Sequence, residues 1–513
     1  MLRKSLLFVS LFVFCTGLVF GQDPLAKKDS NKIEIQHAEY LDIIQYHNTQ
    51  VNSLVHNVIL VQKDLTLYCD SAILDKASNI AKVYGKVHFN KADSVHAYAD
   101  SAIYDGNLKF AELFERVKLT DKQMVITTDH LSYDMQSHVA TYHEGGTVTD
   151  GETKLTSRNG YYYTDTDDAF FKDSVFLKHP KYSLEADTLR YNTALDRAYF
   201  IGPTTIYNTE STVYCERGYY DSETGIAVFN QNTHLINTPQ ELYADSLFYN
   251  RETGIGEAYG HIVFTDTAQN VIQYSNIATY DEIHNVIVST GGSVAGYVLD
   301  NDTLFIGGDT IRTMQDSLKN RQMLVYHHVK IYKSDLQGTC DSLAYSDLDS
   351  TIRLYGLPVM WSDSTQFSAD TIHMLIRDKA LSEIHLFSKG FIINEDDSLI
   401  YNQIKGRKIY GYFVDDELRV IKAIGNGESI YFGKDDDDQY IGVNKMVCSE
   451  IYIYLENKKF HRISFINAPK AEFNPMDKIR LKDLQLDNFE WLYEKRPKSR
   501  EELFPEALPL QAE

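Results

Sequence analysis

The most constraining feature of the sequence is a short motif that recurs about every 30 residues. It consists of a small residue, Asp, a small hydroxyl residue, two spacers and an aromatic residue, as in residues 99–104 (ADSAIY). The acidic or amide position of each copy is its anchor, and the anchors are Asp70, Asp100, Asp129, Asn159, Asp187, Glu216, Asp245, Asn276, Asp309, Asp341 and Asp370. Tyr stands four positions after the anchor in eight copies. A period held this long predicts a repeat architecture.

The apolar residues around each anchor predict a strand that bends. Around Asp187 they recur with period two on both sides, but the period shifts by one residue at the anchor. These positions are Tyr182, Leu184, Ala186, Leu189 and Tyr191. Such a shift would turn the second half of a flat strand inside out. We therefore expect a bulge or corner at the Asp-Ser step, which keeps all five side chains on one face.

The second half of each repeat carries a Gly or a polar pair before a β-branched residue, as in residues 84–87 (YGKV) and 259–262 (YGHI). Turn formers such as residues 105–107 (DGN) separate the two halves. Segments of helical period long enough for parallel crossovers are missing, so an antiparallel meander is favoured. The sequence predicts an all-β fold, an elongated bent sheet of about eleven or more hairpin repeats. At about 4.8 Å per strand the body would be on the order of 100 Å long, with an apolar trough inside.

The chain begins with a segment typical of an export signal. In residues 1–21, Arg3 and Lys4 precede an apolar run. Cys15 raises the alternative of a lipoprotein, but Phe14 occupies a place where a small residue is needed. No later apolar run approaches the roughly eighteen residues needed to span a bilayer. We expect an exported mature chain without a transmembrane segment.

Three further segments follow the export signal. Residues 22–380 are predicted to form the repeat domain, residues 381–469 a divergent continuation of it, and residues 470–513 a tail broken by prolines. Residues 499–502 (SREE) resemble a capping box and predict a short helix. The apolar tail residues are expected to cap the open end of the trough or to dock on the last strands or a partner, and they are Phe489, Trp491 and Leu492.

Composition excludes some classes of partner. The formal net charge is −22, and nucleic acid is an unsuitable partner because neutralising its phosphates needs a basic face. A hydrophobic content of 43% with 36 Tyr suits a large β protein. Cys69, Cys215 and Cys340 precede anchors, at the position that Ala fills in other copies. They are predicted to be small core residues, too far apart to form disulfides.

Patterns typical of catalytic and metal sites are missing. The sequence has no His-Glu-x-x-His, P-loop, Gly-x-Ser-x-Gly or Cys-x-x-Cys pattern. His327-His328 lacks carboxylates at ligand spacing, and residues 435–438 (DDDD) lack the pattern of an EF-hand. The anchor carboxylates recur once per repeat, which fits a ladder of corner caps better than a glycosidase pair. No catalytic residue, metal or cofactor is predicted.

Repeated Ala-Asp-Ser-x-x-Tyr-Asp units that alternate with Gly-x-Val, over residues 33–380, resemble the OstA-like family. This family includes the periplasmic lipopolysaccharide-transport protein LptA and the N-terminal domain of its outer-membrane partner LptD. The resemblance implies a β-taco or β-jelly-roll-like sheet whose trough holds lipid A acyl chains. It also implies edge strands that join other OstA-like or Lpt proteins, in the periplasm or at the periplasmic face of the outer membrane of a Gram-negative bacterium. The chain is longer than a minimal LptA and lacks the barrel of LptD, and it resembles the extended OstA-like proteins of Bacteroidetes-type bacteria.

Seven apolar residues at one repeat position are expected to line the trough, namely Leu67, Ile126, Leu184, Val213, Leu242, Ile306 and Phe367. The expected function is lipopolysaccharide binding and transport, with head groups held outside the trough because the acidic exterior repels lipid phosphates. Divalent cations between the two are compatible with this arrangement. The alternative is a structural envelope scaffold or surface rod, in which the same residues form a filled core. An enzyme such as a polysaccharide lyase is a distant third, disfavoured by the missing catalytic cluster.

Overall fold

The structure is a computed structural model that describes residues 31–503, apart from residues 47, 48, 93, 123, 300, 301, 378, 379, 416, 436, 457, 458, 482 and 483. The export signal expected at residues 1–21, Asp436 of the acidic run and residues 504–513 of the tail lie outside the described residues. Within them, no helix has the length and apolar character needed to cross a bilayer.

The described residues form β-strands and three one-turn 3-10 helices, at Met476–Lys478, Tyr493–Lys495 and Arg500–Glu502. The first strands are β1 (Glu34–His37), β2 (Tyr40–Tyr46), β3 (Thr49–Gln62), β4 (Leu65–Asp75), β5 (Ile80–Lys91), β6 (Val95–Asp105), β7 (Phe110–Asp121) and β8 (Met124–Asp134). The next are β9 (Val139–Tyr142), β10 (Gly146–Asp150), β11 (Thr153–Ser157), β12 (Asn159–Tyr163), β13 (Asp168–His179), β14 (Tyr182–Asn192), β15 (Arg197–Asn208), β16 (Thr212–Asp221), β17 (Ile226–Asn237), β18 (Gln240–Asn250), β19 (Ile255–Asp266), β20 (Val271–Asp281) and β21 (Val286–Val298). The last are β22 (Thr303–Gln315), β23 (Arg321–Lys333), β24 (Leu336–Ser346), β25 (Thr351–Tyr355), β26 (Val359–Ser362), β27 (Thr365–Ser368), β28 (Thr371–Arg377), β29 (Ala380–Asp397), β30 (Ile400–Val414), β31 (Glu417–Lys434), β32 (Tyr440–Glu456), β33 (Lys459–Ile466) and β34 (Lys470–Pro475).

The chain divides into two compact units. The first unit comprises residues 31–122 with 129–138, and the second comprises residues 124–128 with 139–503. In the first unit β1 and β2 pair with β3, and β3 to β7 pair in chain order. In the second unit β13 to β24 pair in chain order. These pairings are all antiparallel, which confirms the predicted all-β meander.

Each long strand changes direction at a corner built from three residues. In the pairing of β4 with β3 and β5, Asp70 lies opposite two residues on each neighbour, and on β5 these are Gly85 and Lys86. Both residues of the pair have positive φ, at 74° and 48°. Such a two-against-one bulge bends the strand and restores the inward phase after the corner. The predicted one-residue shift is therefore confirmed. We call the strand that follows the anchor's strand the return strand, and the Gly that marks the second half of each repeat lies on it, at the same corner.

The same corner recurs through the described residues. Adjacent pairs with positive φ on both members stand at His56-Asn57, Gly85-Lys86, Glu115-Arg116, Asp173-Ser174, Gln231-Asn232, Gly260-His261, Gly291-Gly292, His327-His328, Gly356-Leu357, Ser388-Lys389, Gly425-Asn426 and Asn467-Ala468. Beyond Asp370, the single residue at the corner is Arg407 between β29 and β31, and Ser449 on β32. The corner geometry thus continues where the sequence motif has faded.

The anchor predicted for the fourth copy of the motif, Asn159, is wrong by one residue. β11 ends at Ser157 and β12 begins at Asn159, so Arg158 is the single corner residue. Its N–H donates to the Asp173 carbonyl at 3.0 Å. Four positions after Arg158, Tyr162 is buried, whereas Tyr163 is 36% exposed. The run of three tyrosines at residues 161–163 hid this offset, because every one of them fits the motif.

Side chains on both sides of the corners enter the same hydrophobic core. In the second unit one cluster contains Ile306 and Ile331 from one side of the corners and Ile311 and Val325 from the other. A strand that folds over at its corner brings these halves face to face. The prediction for the cysteines is confirmed, since Cys69, Cys215, Cys340 and Cys448 are free and buried. Burial raises the pKa of the Cys215 thiol to about 12.

The tail does not cap an end of the sheet. After β34, which pairs with β32, it runs back over strands that precede it in the sequence. Phe489 and Trp491 pack on Tyr401 of β30, each with its ring centroid 5.4 Å from the tyrosine ring. Ser499 makes no side-chain cap hydrogen bond, so the expected capping box is wrong, and the helix at Arg500–Glu502 is a single 3-10 turn.

Candidate functional site

Six of the seven predicted lining residues belong to one cross-strand row in the second unit. Leu184 lies opposite Leu177 and Ile206, and Leu242 lies opposite Leu235 and Phe264. Residues directly opposite in an antiparallel pair project to the same face. We call this row the first inner row, and it consists of Ile126, Val148, Leu155, Leu177, Leu184, Ile206, Val213, Leu235, Leu242, Phe264, Gln273, Ala295, Ile306, Ile331, Gly338, Met360, Phe367, Ile392 and Ile404.

The seventh predicted residue, Leu67, occupies the corresponding row of the first unit. Leu67 lies opposite Leu60 on β3 and Phe89 on β5. Phe89 in turn lies opposite Ala97, and all four side chains are buried. The first unit therefore repeats the same aliphatic pattern, with its interior filled by its own side chains.

A second row on the inner face comes from the tyrosines that follow the corners. From Tyr162 to Tyr280 these tyrosines alternate with Ala or Gly on the neighbouring strands, and Tyr280 also lies opposite Ile287. We call it the second inner row, and from β12 to β23 it consists of Tyr162, Ala169, Tyr191, Ala198, Tyr220, Ala227, Tyr249, Gly256, Tyr280, Ile287, Thr313 and Met323. Sequence reasoning found the tyrosines but missed their partners on the return strands, although Ala or Gly recurs there at the same spacing.

Exposure changes along both rows in the same place. In the first inner row the residues from Ile126 to Leu184 are 2–4% exposed and those from Ala295 to Phe367 are buried. Of the six residues between them, Val213 on β16 is buried, Gln273 on β20 is half-buried, and four apolar residues on β15, β17, β18 and β19 are half-buried. These four are Ile206, Leu235, Leu242 and Phe264. In the second inner row Tyr162 and Met323 are buried, whereas Tyr280 is 38% exposed. Of the seven predicted lining residues, only Leu242 is half-buried.

The phenol groups of this face are neutral hydrogen-bond donors. The Tyr249 hydroxyl donates to a Glu282 carboxylate oxygen at 2.6 Å, and this bond raises the pKa of Tyr249 to about 12. Burial raises the pKa of Tyr182 to about 12. The Tyr191 hydroxyl donates to Asp196 at 2.6 Å. Tyrosines with an apolar ring on the inner face and a polar tip at its border suit a ligand that is apolar at one end.

The anchor carboxylates lie outside the corners and pair with the second residue of the return-strand pair. Asp100 accepts two hydrogen bonds from Arg116, at 2.8 and 2.7 Å, and this hydrogen bonding lowers the pKa of Asp100. Asp245 pairs with His261 at 2.8 Å. His328 pairs with Asp309 at 2.9 Å, while His327 lies near a different anchor, Asp341. The anchors therefore act as corner caps rather than as one catalytic group.

Metal-ligating side chains do not converge elsewhere in the described part of the chain. No group of three or more His, Cys, Asp or Glu side chains there is arranged to hold a metal ion. The Asp435 carboxylate instead accepts bonds from the backbone N–H groups of Asp437 and Gln439 within its own turn, at 3.1 and 2.8 Å. The apolar inner face is thus the feature of the described residues that most suits binding.

Residues 30–187 and 177–245 match the model of a family described as OstA-like protein. The solved structure of LptH from Pseudomonas aeruginosa, described as the LptA homologous periplasmic component of the conserved lipopolysaccharide transport device, is similar to part of the chain. The identity is 19% over 21% of this chain and 75% of that chain, with a TM-score of 0.18. No curated protein sequence matches the chain.

Proposed function

We propose that the chain, of which residues 30–245 match the OstA-like family model, binds lipopolysaccharide by its acyl chains and takes part in lipopolysaccharide transport to the outer membrane. The observation that carries this proposal is the first inner row, which is an apolar surface that continues from strand to strand between Ile126 and Phe264. A transport protein of this family needs no catalytic group, and we propose a binding role rather than an enzymatic one.

The physical basis is the match between an acyl chain and the inner face. A methylene group gains about 0.8 kcal/mol when it leaves water for an apolar surface. Ile206, Leu235 and Leu242 offer such a surface that is still partly open to solvent. The tyrosine tips at its border supply the polar contacts that the other end of the lipid needs.

The location and partners belong to the same proposal. We place the chain in the periplasm, with residues 1–21 as its export signal, residues 22–380 as the repeat domain and residues 381–469 as its continuation. β2 pairs with β3 along one side and exposes four large apolar side chains, Tyr40, Leu41, Ile43 and Ile44. Exposed strands of this kind accept a further strand from another chain. We propose an OstA-like or Lpt protein as that neighbour.

A structural scaffold without cargo is the second candidate, and one observation favours it. Leu67, Ile126, Ile306 and Phe367 are each 2% exposed or less, so these predicted lining positions are part of a filled core. A rod with a packed interior would bind no lipid, and its depletion would alter cell morphology without stranding lipopolysaccharide in the inner membrane.

The test measures binding of purified full-length chain to lipopolysaccharide and to the same lipopolysaccharide stripped of its acyl chains. We expect saturable binding of the acylated form alone. Leu242→Glu places a charge on the inner face and should weaken binding about tenfold or more, which corresponds to about 1.4 kcal/mol. The matched control is Tyr243→Glu, since the next residue on β18 is 45% exposed on the opposite face. Equal binding of both forms, or no binding, would contradict the proposed function.

A further inference from the structure

We infer that the acyl chains occupy one segment of the inner face, strands β15 to β19, and that the interior on either side of it is closed. We call these strands the open segment. This inference rests on the proposed function, and it goes further by assigning the cargo to five strands instead of the whole row. It also assigns the ligand class, a fatty acyl chain with its polar end at the tyrosine border.

The floor of the open segment consists of small or apolar side chains and includes the buried Thr204 and Thr233, while its walls are only half-buried. Ala244 and Ile262 lie at the corners and are buried. They form a small hydrophobic cluster that is separate from the large core beginning at Ala295. On the walls, Leu235, Leu242 and Phe264 retain exposed surface. Half-buried aliphatic walls over a buried floor leave apolar surface that a methylene chain can cover.

On the N-terminal side the inner face is closed by its own side chains. Leu177 and Leu184 are buried in the first inner row, and Leu189 is fully buried beyond the corner. Tyr182, which precedes the corner of β14, meets Tyr220, which follows the corner of β16, with ring centroids 6.4 Å apart and the rings edge to face. This contact joins the part of the sheet before the corners to the part after them, and it closes the inner face between β14 and β16.

On the C-terminal side a polar step interrupts the apolar surface. The Gln273 side-chain amide donates to the Ser289 hydroxyl at 2.6 Å. Gln273 precedes the corner of β20, and Ser289 lies on β21 in the opposite half of the bent sheet. At the floor, Ser293 stands where Val87 and Val329 stand in other repeats, and Ser275 stands where Ala99 and Cys340 stand. Their hydroxyls are buried without a hydrogen-bond partner among the described residues. Thr233 inside the open segment has a similar unpartnered hydroxyl, so the boundary is set by the Gln273–Ser289 bond, which an acyl chain would have to break in order to extend further.

Beyond the polar step the first inner row is filled, whereas Ile287 and Thr313 of the second inner row remain half-buried. Val325, Met360 and Ile372 are fully buried in the large core of the second unit. No comparable half-buried aliphatic stretch follows in the first inner row of the described residues up to Ile404. The acyl chains therefore have one compartment in the second unit, bounded by aromatic contact at one end and by hydrogen-bonded polar side chains at the other.

Photo-cross-linking of the full-length chain with purified lipopolysaccharide tests this assignment. p-Benzoylphenylalanine would replace Leu235, Leu242 or Phe264 in the open segment, or Ile126 or Phe367 in the closed parts of the same row. We expect lipopolysaccharide adducts at the first three positions and none at the last two. Adducts of equal yield at Ile126 or Phe367 would overturn the assignment while leaving the proposed function intact. Adducts only with a second copy of the chain would also overturn it, and no adduct at any position would count against both.

A filling variant provides an independent measurement. Ala278→Phe adds a ring to the inner face beside the open segment, because Ala278 lies opposite Ala258 and packs against its apolar cluster. We expect at least a tenfold loss of lipopolysaccharide binding with the melting temperature little changed. Thr279→Phe is the control, since Thr279 is the next residue and exposed on the outer face. Unchanged binding by a folded Ala278→Phe variant would overturn the assignment.

Discussion

At the scale of single residues, the fold depends on what each corner can accommodate. The return-strand pair takes up positive φ, which costs a residue with a side chain more than it costs Gly. At the corner of β18 and β19 the requirement is strict, because Gly260 has φ +72° and a Cβ on it would lie 2.1 Å from Asp245 Oδ2. The anchor carboxylate and the bare backbone opposite it are thus complementary in shape.

Gly260→Ala is expected to destabilise the protein by about 1–3 kcal/mol, because it adds both backbone strain and a clash with Asp245. Chemical denaturation followed by circular dichroism measures the change. The control is Gly256→Ala on the same strand, where φ is not positive and the nearest atoms to an added Cβ are at 3.7 Å or more. If the two variants lost equal stability, the account of the corner would be wrong.

A second prediction concerns the turn at the end of β16. The Thr224 backbone N–H donates to Asp221 Oδ1 at 2.9 Å, and this bond, together with Arg197, holds the pKa of Asp221 below its usual value of 3.8. A lowered pKa contributes stability above about pH 4 that is lost as the pH falls through the folded-state pKa. Asp221→Asn should therefore lower the stability of the protein at pH 7 and reduce the further loss of stability as the pH falls.

Melting temperatures between pH 2 and pH 7 check this expectation, with Glu223→Gln in the same turn as the control, because Glu223 is exposed. An Asp221→Asn variant with an unchanged acid limb would show that the pair with Arg197 contributes little.

At the scale of elements, the tail is held on the outer face of the later strands by a ladder of glutamines. Gln366 lies opposite Trp361 and Ile393, on the face opposite to Phe367. Its amide donates to the Glu490 carbonyl at 2.8 Å and its carbonyl accepts from the Leu492 N–H at 2.7 Å. Gln403 makes the same two bonds with Leu484 and Leu486, at 2.9 Å each, and the Gln337 carbonyl accepts from Arg496 at 2.7 Å.

This arrangement makes the tail part of the folded second unit. Gln337, Gln366 and Gln403 are buried. Gln366 and Gln403 bond to the tail backbone, whereas Gln337 bonds to the Arg496 side chain. The tail in turn packs Leu486, Phe489 and Trp491 into one cluster with Phe391 and Ile393. An outer face that carries Trp361, Phe391 and Ile393 would otherwise be an exposed apolar patch.

Gln366→Ala leaves the Leu492 N–H and the Glu490 carbonyl without their partner, and we expect a loss of about 1–3 kcal/mol in the local stability of the tail. Hydrogen exchange of residues 484–496 measures it, as faster exchange in this segment. Gln322→Ala, at an exposed glutamine on β23, is the control. Unchanged exchange in Gln366→Ala would mean that the aromatic contacts alone hold the tail.

At the scale of the whole molecule, the sequence predicts what is set locally. The 30-residue period, the shift at Asp-Ser and the face shared by Leu184 and Leu242 follow from neighbours in the chain, and each of these is present in the structure. The offset at Arg158 was missed because three consecutive tyrosines satisfy the motif equally well.

What the sequence does not predict depends on contacts between distant residues. Whether Leu242 is half-buried or Ile306 fully buried depends on side chains that meet across the inner face. The path of the tail depends on Gln366 and Gln403, which are polar residues on the outer side of strands and carry no signal of burial in the sequence.

The most direct test of lipid binding on the inner face is in-cell photo-cross-linking along β18 in a bacterium that makes lipopolysaccharide. The inner face of β18 carries Leu242 and Leu247, and its outer face carries Tyr243 and Phe248, with the phase shifted at Asp245. We predict lipopolysaccharide adducts at Leu242 and Leu247 and none at Tyr243 and Phe248. Equal adducts on both faces, or none at Leu242 and Leu247, would contradict the proposal that the inner face holds acyl chains.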